Sequence, residues 1–398
     1  MLAFTFPGQG SQKHGMGRPW MDHPSWDLVD EASQALDRDI DDLLINASDE
    51  ELTHTRNAQI ATFVLSLVVL DAVERVGVAA GLAAGHSLGE YTALTATGAL
   101  SYDDGIRLVA ERGEAMQMAA QAREGTMSAI LGLEDERVAA ACASVDDDVW
   151  VANFNAPGQV VIAGSRSGVE AASSAAKDFG AKRAMPLPVG GAFHTPYMEP
   201  ARERLRKALR ETEIRTPAIP IVANVDAVAH STAGNWQATL SAQLCSPVRW
   251  RQSLETLQAY GATTLIELGP GTVLTGMAKR TVGTLNRFTV NTPEDVDMLL
   301  ENLTREADIA EPTKVATNSY DEGEHLFVHE RIVVSSVAGI FSLADELQVG
   351  REISVGDLVG RVGENEVRSP FAGSVMGLMA IDGERVTPSQ PIAWLRTV

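Results

Sequence analysis

Residues 81–98 read GLAAGHSLGEYTALTATG and contain a Gly-x-Ser-x-Gly pattern at Gly85–Gly89. The small residues before the pattern are typical of a strand, and residues 90–98 favour a helix. The two glycines permit a sharp strand-to-helix turn, which exposes the hydroxyl group of Ser87 at the helix N-terminus. At that position the helix dipole and the Leu88 amide stabilise an oxyanion. The stretch therefore predicts a nucleophilic serine presented by an α/β fold.

The rest of the first half alternates short apolar runs with longer helical patterns, which is typical of a largely parallel sheet flanked by helices. Leu2–Phe6 is predicted to be a strand, and Asn57–Val76 a helix that is buried on most sides. Three later elements belong to the same domain: a helix at Met198–Glu211 and strands at Ile219–Asn224 and Thr263–Leu268. We assign residues 1–125 and 188–305 to this hydrolase-like core.

Residues 126–187 follow a different order, in which strand and helix patterns alternate as β-α-β-β-α-β. The predicted strands are Met127–Leu131, Val149–Phe154, Gln159–Ala163 and Lys182–Leu187, and the predicted helices are Glu134–Ser144 and Gly168–Phe179. This order is the ferredoxin-like arrangement. We therefore predict a ferredoxin-like subdomain inserted into the core.

The sequence changes character again near Ala307. Residues 306–325 are polar, include Pro312 and predict a linker. Residues 326–398 are rich in short strand patterns and glycine, and residues 353–362 weakly repeat residues 385–395. Two similar halves predict a small pseudo-symmetric β sandwich.

The composition is strongly acidic. The 398 residues include 32 basic and 53 acidic side chains, which gives a formal net charge of −21. Such a chain is a poor candidate for binding nucleic acid or an anionic membrane, so we expect neither partner. Cys142 and Cys245 lie far apart without metal-ligand spacing, which indicates reduced thiols in a cytosolic protein.

The N-terminus and the most apolar segment also predict a cytoplasmic protein. Residues 1–6 (MLAFTF) lack the basic region and the long apolar stretch of a signal peptide. The apolar segment Ile60–Leu70 is too short to span a bilayer and is expected to be a buried helix.

A serine hydroxyl is a weak nucleophile at neutral pH and needs a general base. Four of the eight histidines have polar surroundings and are expected at the surface: His14, His23, His54 and His230. His86 adjoins the serine and points away from it in a tight turn. His325 and His329 have i,i+4 spacing without a third ligand, so we predict no metal site. His194 remains, in a loop bounded by glycine and proline, where a base projects into a cleft between two subdomains.

The segment Pro7–Ser11 (PGQGS) follows the first strand without matching a nucleotide-binding loop. Lys13 stands where a dinucleotide fingerprint has its third glycine, and the Gly-Lys-Ser/Thr of a P-loop is missing. We expect no cofactor, and instead a loop that brings Gln9 and backbone amides toward Ser87.

Together, these motifs in residues 1 to about 305 resemble the malonyl-CoA:acyl-carrier-protein transacylases, and more broadly the acyltransferase domains of polyketide synthases. The matching segments occur in the family's order: FPGQGSQ at 6–12, GHSLGEY at 85–91, Arg112-Gly113 with Met116, NFN at 153–155 with PGQ at 157–159, GAFHTP at 191–196, Gln243-Leu244 with PVRW at 247–250, and ELGPG at 267–271.

The resemblance implies a role for each of five residues. Ser87 takes the acyl group and His194 is its base, oriented by a main-chain carbonyl near Gln243 rather than by a carboxylate. Gln9 and the Leu88 amide form the oxyanion hole. The implied reaction transfers a malonyl group from malonyl-CoA, through acyl-Ser87, to the phosphopantetheine thiol of acyl carrier protein in fatty acid biosynthesis.

The resemblance also implies how the acyl group is selected. Arg112 pairs with the free malonyl carboxylate, for which its planar guanidinium is suited. From the residues alone, Arg112 within AERGE at 110–114 also fits a solvated charge on a helix. Phe193 resembles the malonyl-selecting version of its loop, since relatives that take methylmalonyl have a smaller residue there. We therefore expect malonyl to be preferred over methylmalonyl, with Arg112 rejecting acetyl.

Carrier docking is assigned to basic residues, because the carrier protein is acidic. Arg206 and Arg210 recur with Arg202 at four-residue spacing on the helix after His194, and form a stripe. A solvated face balanced by glutamates explains the same pattern equally well. A second basic patch is formed by Arg249, Arg251, Lys279 and Arg280.

Residues 326–398 resemble the biotinyl/lipoyl barrel-sandwich hybrid, through SPFAGSV at 369–375 and the turn that follows it. Carriers of this family bear their cofactor on a hairpin lysine. Here the hairpin at 362–367 reads VGENEV, and no lysine follows Lys314. The domain is therefore expected to carry neither biotin nor lipoate, and to serve in docking, oligomerisation or stabilisation.

Other classes of function stay open at this point. A serine hydrolase or thioesterase shares the Gly-x-Ser-x-Gly turn but passes the acyl group to water and usually has a carboxylate in its triad. A polyketide-type acyltransferase shares the motifs as well. A non-catalytic scaffold is suggested only by the appended domain, and the co-occurrence of Ser87, His194, Gln9 and Arg112 argues against it.

Overall fold

The computed structural model describes residues 1–309, 330–335, 337–344, 347–363, 365–387 and 390–396. The chain divides into two compact units, Met1–Glu311 and Pro312–Val398.

In chain order, the helices of the first unit are α1 (Asp27–Leu36), α2 (Ile40–Ile45), α3 (Asp49–Thr53), α4 (Thr55–Arg75), α5 (Gly89–Ala96), α6 (Tyr102–Ala122), α7 (Asp135–Ala143), α8 (Arg166–Asp178), α9 (Glu199–Glu211), α10 (Trp236–Gln243), α11 (Trp250–Ala259), α12 (Val273–Thr281) and α13 (Pro293–Ile309). Its strands are β1 (Leu2–Phe6), β2 (Leu82–Gly85), β3 (Thr126–Leu131), β4 (Val149–Ala156), β5 (Gln159–Gly164), β6 (Arg183–Pro186), β7 (Ile221–Val222), β8 (Ala229–His230), β9 (Thr264–Leu268) and β10 (Asn286–Val290). The strands of the second unit are β11 (Glu330–Val334), β12 (Gly339–Leu343), β13 (Glu352–Ile353), β14 (Leu358–Val362), β15 (Asn365–Arg368), β16 (Gly373–Leu378), β17 (Arg385–Val386) and β18 (Pro391–Arg396).

Six strands form the central sheet of the first unit, in the order β10-β9-β1-β2-β7-β8. All neighbouring pairs are parallel except β7 and β8, and Ala3 of β1 lies opposite Leu82 on one side and Leu265 on the other. Strands that are covered on both faces are apolar throughout rather than alternating, which explains the sequences of β1 and β2. The predicted α/β core with a largely parallel sheet is confirmed, and β1 and β2 end at the same edge.

The strand predicted at Ile219–Asn224 is wrong in length, because β7 covers only Ile221 and Val222. Pro220 has no amide hydrogen to donate to a neighbouring strand. At the other end, the Asn224 side chain hydrogen-bonds the turn that carries Ser87 instead of extending the sheet.

Helix α4 forms the centre of the core beside α6. The predicted buried segment Ile60–Leu70 lies within it, and every residue of that segment is buried. Among the described residues, α4 is the one helix long and apolar enough to cross a membrane, but 83% of its most apolar window is buried inside the fold. Its apolar surface is therefore used for packing.

Strands β3 to β6 form a separate antiparallel sheet in the order β4-β5-β3-β6, with α7 and α8 packed against it. Strand β4 joins this sheet to the rest of the unit. The Phe154 amide donates to the Val248 carbonyl at 2.9 Å, and the Val248 amide donates to the Ala152 carbonyl at 2.9 Å. The bridge places the end of β4 beside the turn that carries Ser87.

The second unit contains two antiparallel four-stranded sheets, β11-β18-β16-β13 and β15-β14-β12-β17. Their buried side chains form one core, which includes Phe341, Val375 and Leu395. The chain therefore ends in a β-rich unit.

Helix α13 continues to Ile309, four residues into the segment predicted to be a linker. Glu306 and Ala307 are good helix formers, and no proline or glycine follows before Pro312. Residues 310–325 of the predicted linker lie outside the described residues, as do His325, His329 and Glu364.

Candidate active site

The turn that carries Ser87 connects β2 to α5 at the carboxyl edge of the central sheet. Ser87 has a backbone φ of 51°, a left-handed conformation that costs a non-glycine residue about 1–3 kcal/mol. A Cβ atom on Gly85 would lie 1.8 Å from the Gly89 carbonyl oxygen, and one on Gly89 would lie 2.1 Å from that of Phe6. Asn224 holds the turn, because its Oδ1 accepts from the Ser87 amide and its Nδ2 donates to the Gly85 carbonyl, both at 2.7 Å.

His194 lies directly beside the serine. Its Nε2 is 2.8 Å from Ser87 Oγ, and its Nδ1 is 2.9 Å from the Gln243 carbonyl oxygen. A carbonyl only accepts hydrogen bonds, so Nδ1 carries the hydrogen and Nε2 accepts from the serine. Burial and then the positive charge of Arg112 lower the pKa of His194 to about 3. The imidazole is therefore neutral at pH 7, which is the form that a general base requires.

Arg112 is 1% exposed, so it is not the solvated helix charge that its sequence neighbours allow. Its Nη1 donates to Gln59 Oε1 at 2.7 Å. Its Nη2 donates to Gln243 Oε1 at 2.9 Å and to Ser87 Oγ at 3.1 Å. Burial lowers the pKa of this guanidinium. A buried cation thus lies against the nucleophile.

Gln243 and Glu90 complete the buried polar cluster. The Gln243 Nε2 donates to the Ser87 carbonyl at 2.8 Å and to Glu90 Oε2. The Glu90 Oε1 accepts from the Asn224 amide at 2.7 Å. Burial raises the pKa of Glu90 to about 7, although the bonds from Asn224 and Gln243 and the charge of Arg112 favour the ionised form.

A cleft of about 520 Å³ opens over these residues. Gln9 and Leu88 line it beside Ser87, and Phe193, which is 6% exposed, lines it beside His194. The separate antiparallel sheet supplies the opposite wall, including Asn155. All seven residues that the sequence placed at the reacting centre (Ser87, His194, Gln9, Leu88, Arg112, Phe193 and Gln243) therefore meet in one place.

Arg206 and Arg210 lie elsewhere, on α9. They line a groove of about 400 Å³ together with Arg202 and residues of α10. Arg206 pairs with Glu203 at 3.0 Å, and Arg202 pairs with Glu199. The structure thus groups the three arginines on one face, apart from the cleft that contains Ser87.

The histidines, cysteines and acidic residues are the side chains that could bind a metal ion in the part of the chain that is described. No group of three or more histidine, cysteine or acidic side chains there could hold a metal ion. Both cysteines are free, Cys142 being buried and Cys245 partly buried. His86, predicted to point away from the serine, has its Nε2 2.9 Å from Asn155 Oδ1.

Three residues of the cluster, Gln59, Glu90 and Asn224, were missed from the sequence. Gln59 is a polar residue in the otherwise apolar stretch that becomes α4, and Glu90 immediately follows the Gly-x-Ser-x-Gly turn. Each position could have been recognised as a candidate, because a polar side chain that is expected to be buried requires a hydrogen-bond partner. The only sequence signal for Asn224 was its position as the last residue of a predicted strand.

A serine on a strand-to-helix turn at a helix N-terminus, with a neutral histidine 2.8 Å from its hydroxyl oxygen, is the arrangement of acyl-transfer enzymes. Residues 3–318 match the family model described as acyl transferase domain. The chain belongs to the malonyl CoA-acyl carrier protein transacylase family within these acyl transferases.

Three relatives illustrate the match. The malonyl CoA-acyl carrier protein transacylase of Bacillus subtilis is 42% identical over 314 residues, which are 78% of this chain and 99% of the relative. The structure of an acyl carrier protein S-malonyltransferase from Vibrio cholerae is 42% identical, with a TM-score of 0.72 over 75% of this chain and 99% of that one. A malonyl-transacylase solved in complex with its type II polyketide acyl-carrier protein is 40% identical, with a TM-score of 0.73 over 76% of this chain and 99% of that one.

Proposed function

We propose that the chain transfers a malonyl group from malonyl-CoA, through an acyl-Ser87 intermediate, to the phosphopantetheine thiol of an acyl carrier protein in fatty acid biosynthesis. The observation that carries this proposal is the arrangement of Arg112 and His194, whose Nη2 and Nε2 atoms lie 3.1 and 2.8 Å from the same Ser87 Oγ. A base and a fixed cation at one nucleophile suit an acyl donor that bears a second, negatively charged group. The malonyl transfer for which the relatives are named supports the same substrate.

The first half-reaction acylates the serine. His194 takes the Ser87 proton at Nε2 while Oγ attacks the thioester carbonyl, and the Gln243 carbonyl stabilises the Nδ1 hydrogen of the imidazolium that forms. The Leu88 amide and Gln9 hold the oxyanion of the tetrahedral intermediate. Collapse of this intermediate breaks the C–S bond, and the imidazolium gives its proton to the departing CoA sulfur.

The second half-reaction repeats these steps with the carrier. His194 takes the proton of the phosphopantetheine thiol, and the thiolate attacks the ester carbonyl of malonyl-Ser87. The ester C–O bond then breaks, and Ser87 Oγ recovers a proton from the imidazolium. The serine and the neutral base are thereby restored.

The malonyl carboxylate pairs with Arg112. One methylene group separates this carboxylate from the carbonyl that Ser87 attacks, and the guanidinium is within reach of the same Oγ. Acetyl has no group to pair with the buried cation. Phe193 lines the cleft beside His194, and its bulk is proposed to disfavour the branch methyl of methylmalonyl.

Intact mass spectrometry tests the proposed function directly. The protein is incubated with malonyl-CoA, the acyl-Ser87 adduct is measured, and then carrier protein or buffer alone is added. We expect an adduct that passes to the carrier and persists in buffer. Rapid release in buffer would indicate a hydrolase or thioesterase, and absence of an adduct would indicate a scaffold. Ser87→Ala is the control, because it removes the attacking oxygen.

The arginine groove on α9 is proposed to dock the carrier protein, through Arg206 and Arg210. Three arginines spaced one turn apart give the groove a positively charged face, which supports this proposal. Arg202 and Arg206 each pair with a glutamate on the same helix. Charge reversal of both Arg206 and Arg210 is expected to raise the KM for carrier protein while leaving that for malonyl-CoA unchanged. Arg215→Glu is a control, since it reverses an exposed arginine outside the groove. Equal effects on both substrates would reject the docking site.

The second unit is proposed to be a biotinyl/lipoyl-like barrel-sandwich hybrid that has no cofactor. Its two antiparallel sheets around one core support this. The hairpin formed by β14 and β15 corresponds to the one that bears lysine in carriers, and no lysine follows Lys314 in the chain. Incubation of the full chain with a biotin or lipoate ligase and its substrates is expected to add no mass, and covalent modification would contradict the assignment.

Within the first unit, we propose a hydrolase-like core at residues 1–125 and 188–305 with a ferredoxin-like subdomain at residues 126–187. The strand order β4-β5-β3-β6, with two helices against the sheet, supports the subdomain. Residues 306–309, which the sequence assigned to the linker, are helical as part of α13. We also propose that the protein acts in the cytoplasm, where the substrates of fatty acid synthesis are used.

A further inference from the structure

Gln243 joins the general base to the buried arginine. Its backbone carbonyl accepts from His194 Nδ1, while its side-chain Oε1 accepts from Arg112 Nη2 at 2.9 Å. Its Nε2 donates to the Ser87 carbonyl and to Glu90 Oε2. The residue is 0% exposed. The side-chain oxygen of Gln243 therefore accepts from one partner, and its side-chain nitrogen donates to two others.

The direction of this carboxamide matters because its two ends have nearly the same shape and opposite hydrogen-bonding capacity. A guanidinium only donates, and a carbonyl or carboxylate only accepts. If the Gln243 amide were turned over, its NH₂ group would face Arg112, and its oxygen would face Ser87 and Glu90. Every bond of the side chain would then be lost, and Arg112 would lose an acceptor.

Glu90 is the carboxyl group that favours one direction. It lies in the first turn of α5 and is 0% exposed. Its two oxygens are both occupied as acceptors, one by Gln243 Nε2 and the other by the Asn224 amide. Bonds to a carboxylate are stronger than bonds between neutral groups, so ionised Glu90 contributes the strongest preference for an NH₂ group at this position. The charge of Glu90 also acts on Arg112.

We propose that Glu90 is a positioning residue that holds the Gln243 carboxamide with its oxygen toward Arg112, and thereby fixes the guanidinium that receives the acyl carboxylate. This inference rests on the proposed function, because it assigns Glu90 to the selection of malonyl. Glu90 does not contact the acyl group. It acts through Gln243 on one side of Ser87, while its bond to Asn224 supports the other side of the turn.

The first test is Glu90→Gln, which keeps the shape of the side chain and removes its charge. The new amide oxygen satisfies the Asn224 amide, so the new NH₂ group faces the NH₂ group of Gln243. Gln243 then loses the charged acceptor that favours its present direction, so its carboxamide is held less firmly against Arg112. We expect the KM for malonyl-CoA to rise by about ten- to a hundredfold, the range for losing a hydrogen bond to a charged group. The KM for acetyl-CoA should rise much less, because acetyl does not use Arg112.

A second substitution distinguishes an effect on the orientation of the Gln243 carboxamide from a general loss of structural support. Gln243→Glu places a carboxylate at position 243, which accepts from Arg112 whichever way it is turned. Next to Glu90 it creates two adjacent carboxylates and should be strongly harmful. In the Glu90→Gln background it accepts from the new amide and from Arg112 together. The double variant is therefore expected to recover much of the malonyl KM that Glu90→Gln loses, while still lacking the bond to the Ser87 carbonyl.

These experiments distinguish failure of the role proposed for Glu90 from failure of the proposed function. If the unsubstituted chain forms no malonyl adduct, the proposed function fails. If it forms the adduct but the two substitutions are additive, or Glu90→Gln impairs malonyl and acetyl transfer equally, the role of Glu90 fails while the function stands. Failure of both Glu90→Gln and the double variant to fold would likewise overturn it, by showing that the carboxyl serves stability alone.

Glu267→Gln is the matched control. Glu267 is another buried glutamate, 1% exposed, and it accepts bonds from Leu274 and Thr275 at the start of α12. Its substitution is expected to lower the melting temperature without changing the malonyl-to-acetyl KM ratio. A similar change of that ratio in both variants would contradict the specific role of Glu90.

Discussion

Replacing Arg112 by alanine tests the assignment on which acyl selection depends. The substitution removes the buried guanidinium that lies 3.1 Å from the nucleophilic Ser87 Oγ. We expect malonyl transfer to fall sharply and acetyl transfer to change far less, because only malonyl has a carboxylate to pair with the cation. Arg107→Ala is the matched control, since Arg107 is on the same helix, is 59% exposed and pairs with Asp103 one turn away.

The size of the effect follows from the burial of the pair. Removing one partner of a buried, hydrogen-bonded charge pair costs about 2–5 kcal/mol. At 1.4 kcal/mol for each factor of ten, this is about 30- to 4,000-fold in kcat/KM for malonyl-CoA. The fold is also destabilised, because Gln59 Oε1 and Gln243 Oε1 lose their donor, at about 1–3 kcal/mol for each buried acceptor. The control removes a surface pair worth about 0–1 kcal/mol.

The assay compares kcat/KM for malonyl-CoA and acetyl-CoA with one carrier protein, under conditions where circular dichroism shows each variant to be folded. The ratio of the two values is the informative quantity, since partial unfolding lowers both equally. If folded Arg112→Ala kept the malonyl-to-acetyl ratio within about twofold of the unsubstituted chain, the range of surface substitutions, Arg112 would not be the carboxylate receptor.

Three further predictions concern the same cluster. Ser87→Gly should be more stable than Ser87→Ala by about 1 kcal/mol in thermal melts, because the φ of 51° strains alanine but not glycine; equal stability would show that the turn relaxes. Phe193→Ala should raise the methylmalonyl-to-malonyl ratio of kcat/KM by about tenfold and cost about 3–5 kcal/mol of stability; an unchanged ratio would remove Phe193 from selection. Burial raises the pKa of Glu90 from 4.5 to about 7, so the folded state binds its proton more tightly than the unfolded state and loses stability as pH rises through that window. Denaturant titrations should show the unsubstituted chain losing stability relative to Glu90→Gln between pH 4.5 and 7; the lowered pKa of His194 acts in the opposite direction in both proteins and largely cancels in the difference. A pH-independent difference would contradict the burial of an ionisable Glu90.

Local sequence patterns were sufficient for the elements that present Ser87. β1 occupies the predicted range, and the predicted helix at Asn57–Val76 is α4 within two residues at each end. The Gly-x-Ser-x-Gly turn was also predictable, because its geometry depends on glycines within five residues of one another. Such features are determined by backbone conformation and by the periodicity of apolar side chains.

The environment of Arg112 was not predictable in this way. Its sequence neighbours Glu111 and Glu114 are polar, which is compatible with a solvated helix face. The side chain is buried because it points toward α4, where Gln59 supplies an acceptor from 53 residues away. Only the resemblance to a family separated the two interpretations, since periodicity alone does not show which charged residue of a helix has a buried partner.

The orientation of the Gln243 carboxamide is a still less local property. Gln243 and Glu90 are 153 residues apart, and Ser87 and Asn224 are 137 apart. In each contact, whether a group is a suitable partner depends on whether the group opposite it donates or accepts a hydrogen bond. A carboxylate in place of the Gln243 amide would still satisfy Arg112 but would oppose Glu90, and an amide in place of Glu90 would remove the charge that favours the present direction of the carboxamide. The residue types at these two positions are therefore coupled, and a rule that treats each position separately misses the constraint even when both residues are correctly placed in the site.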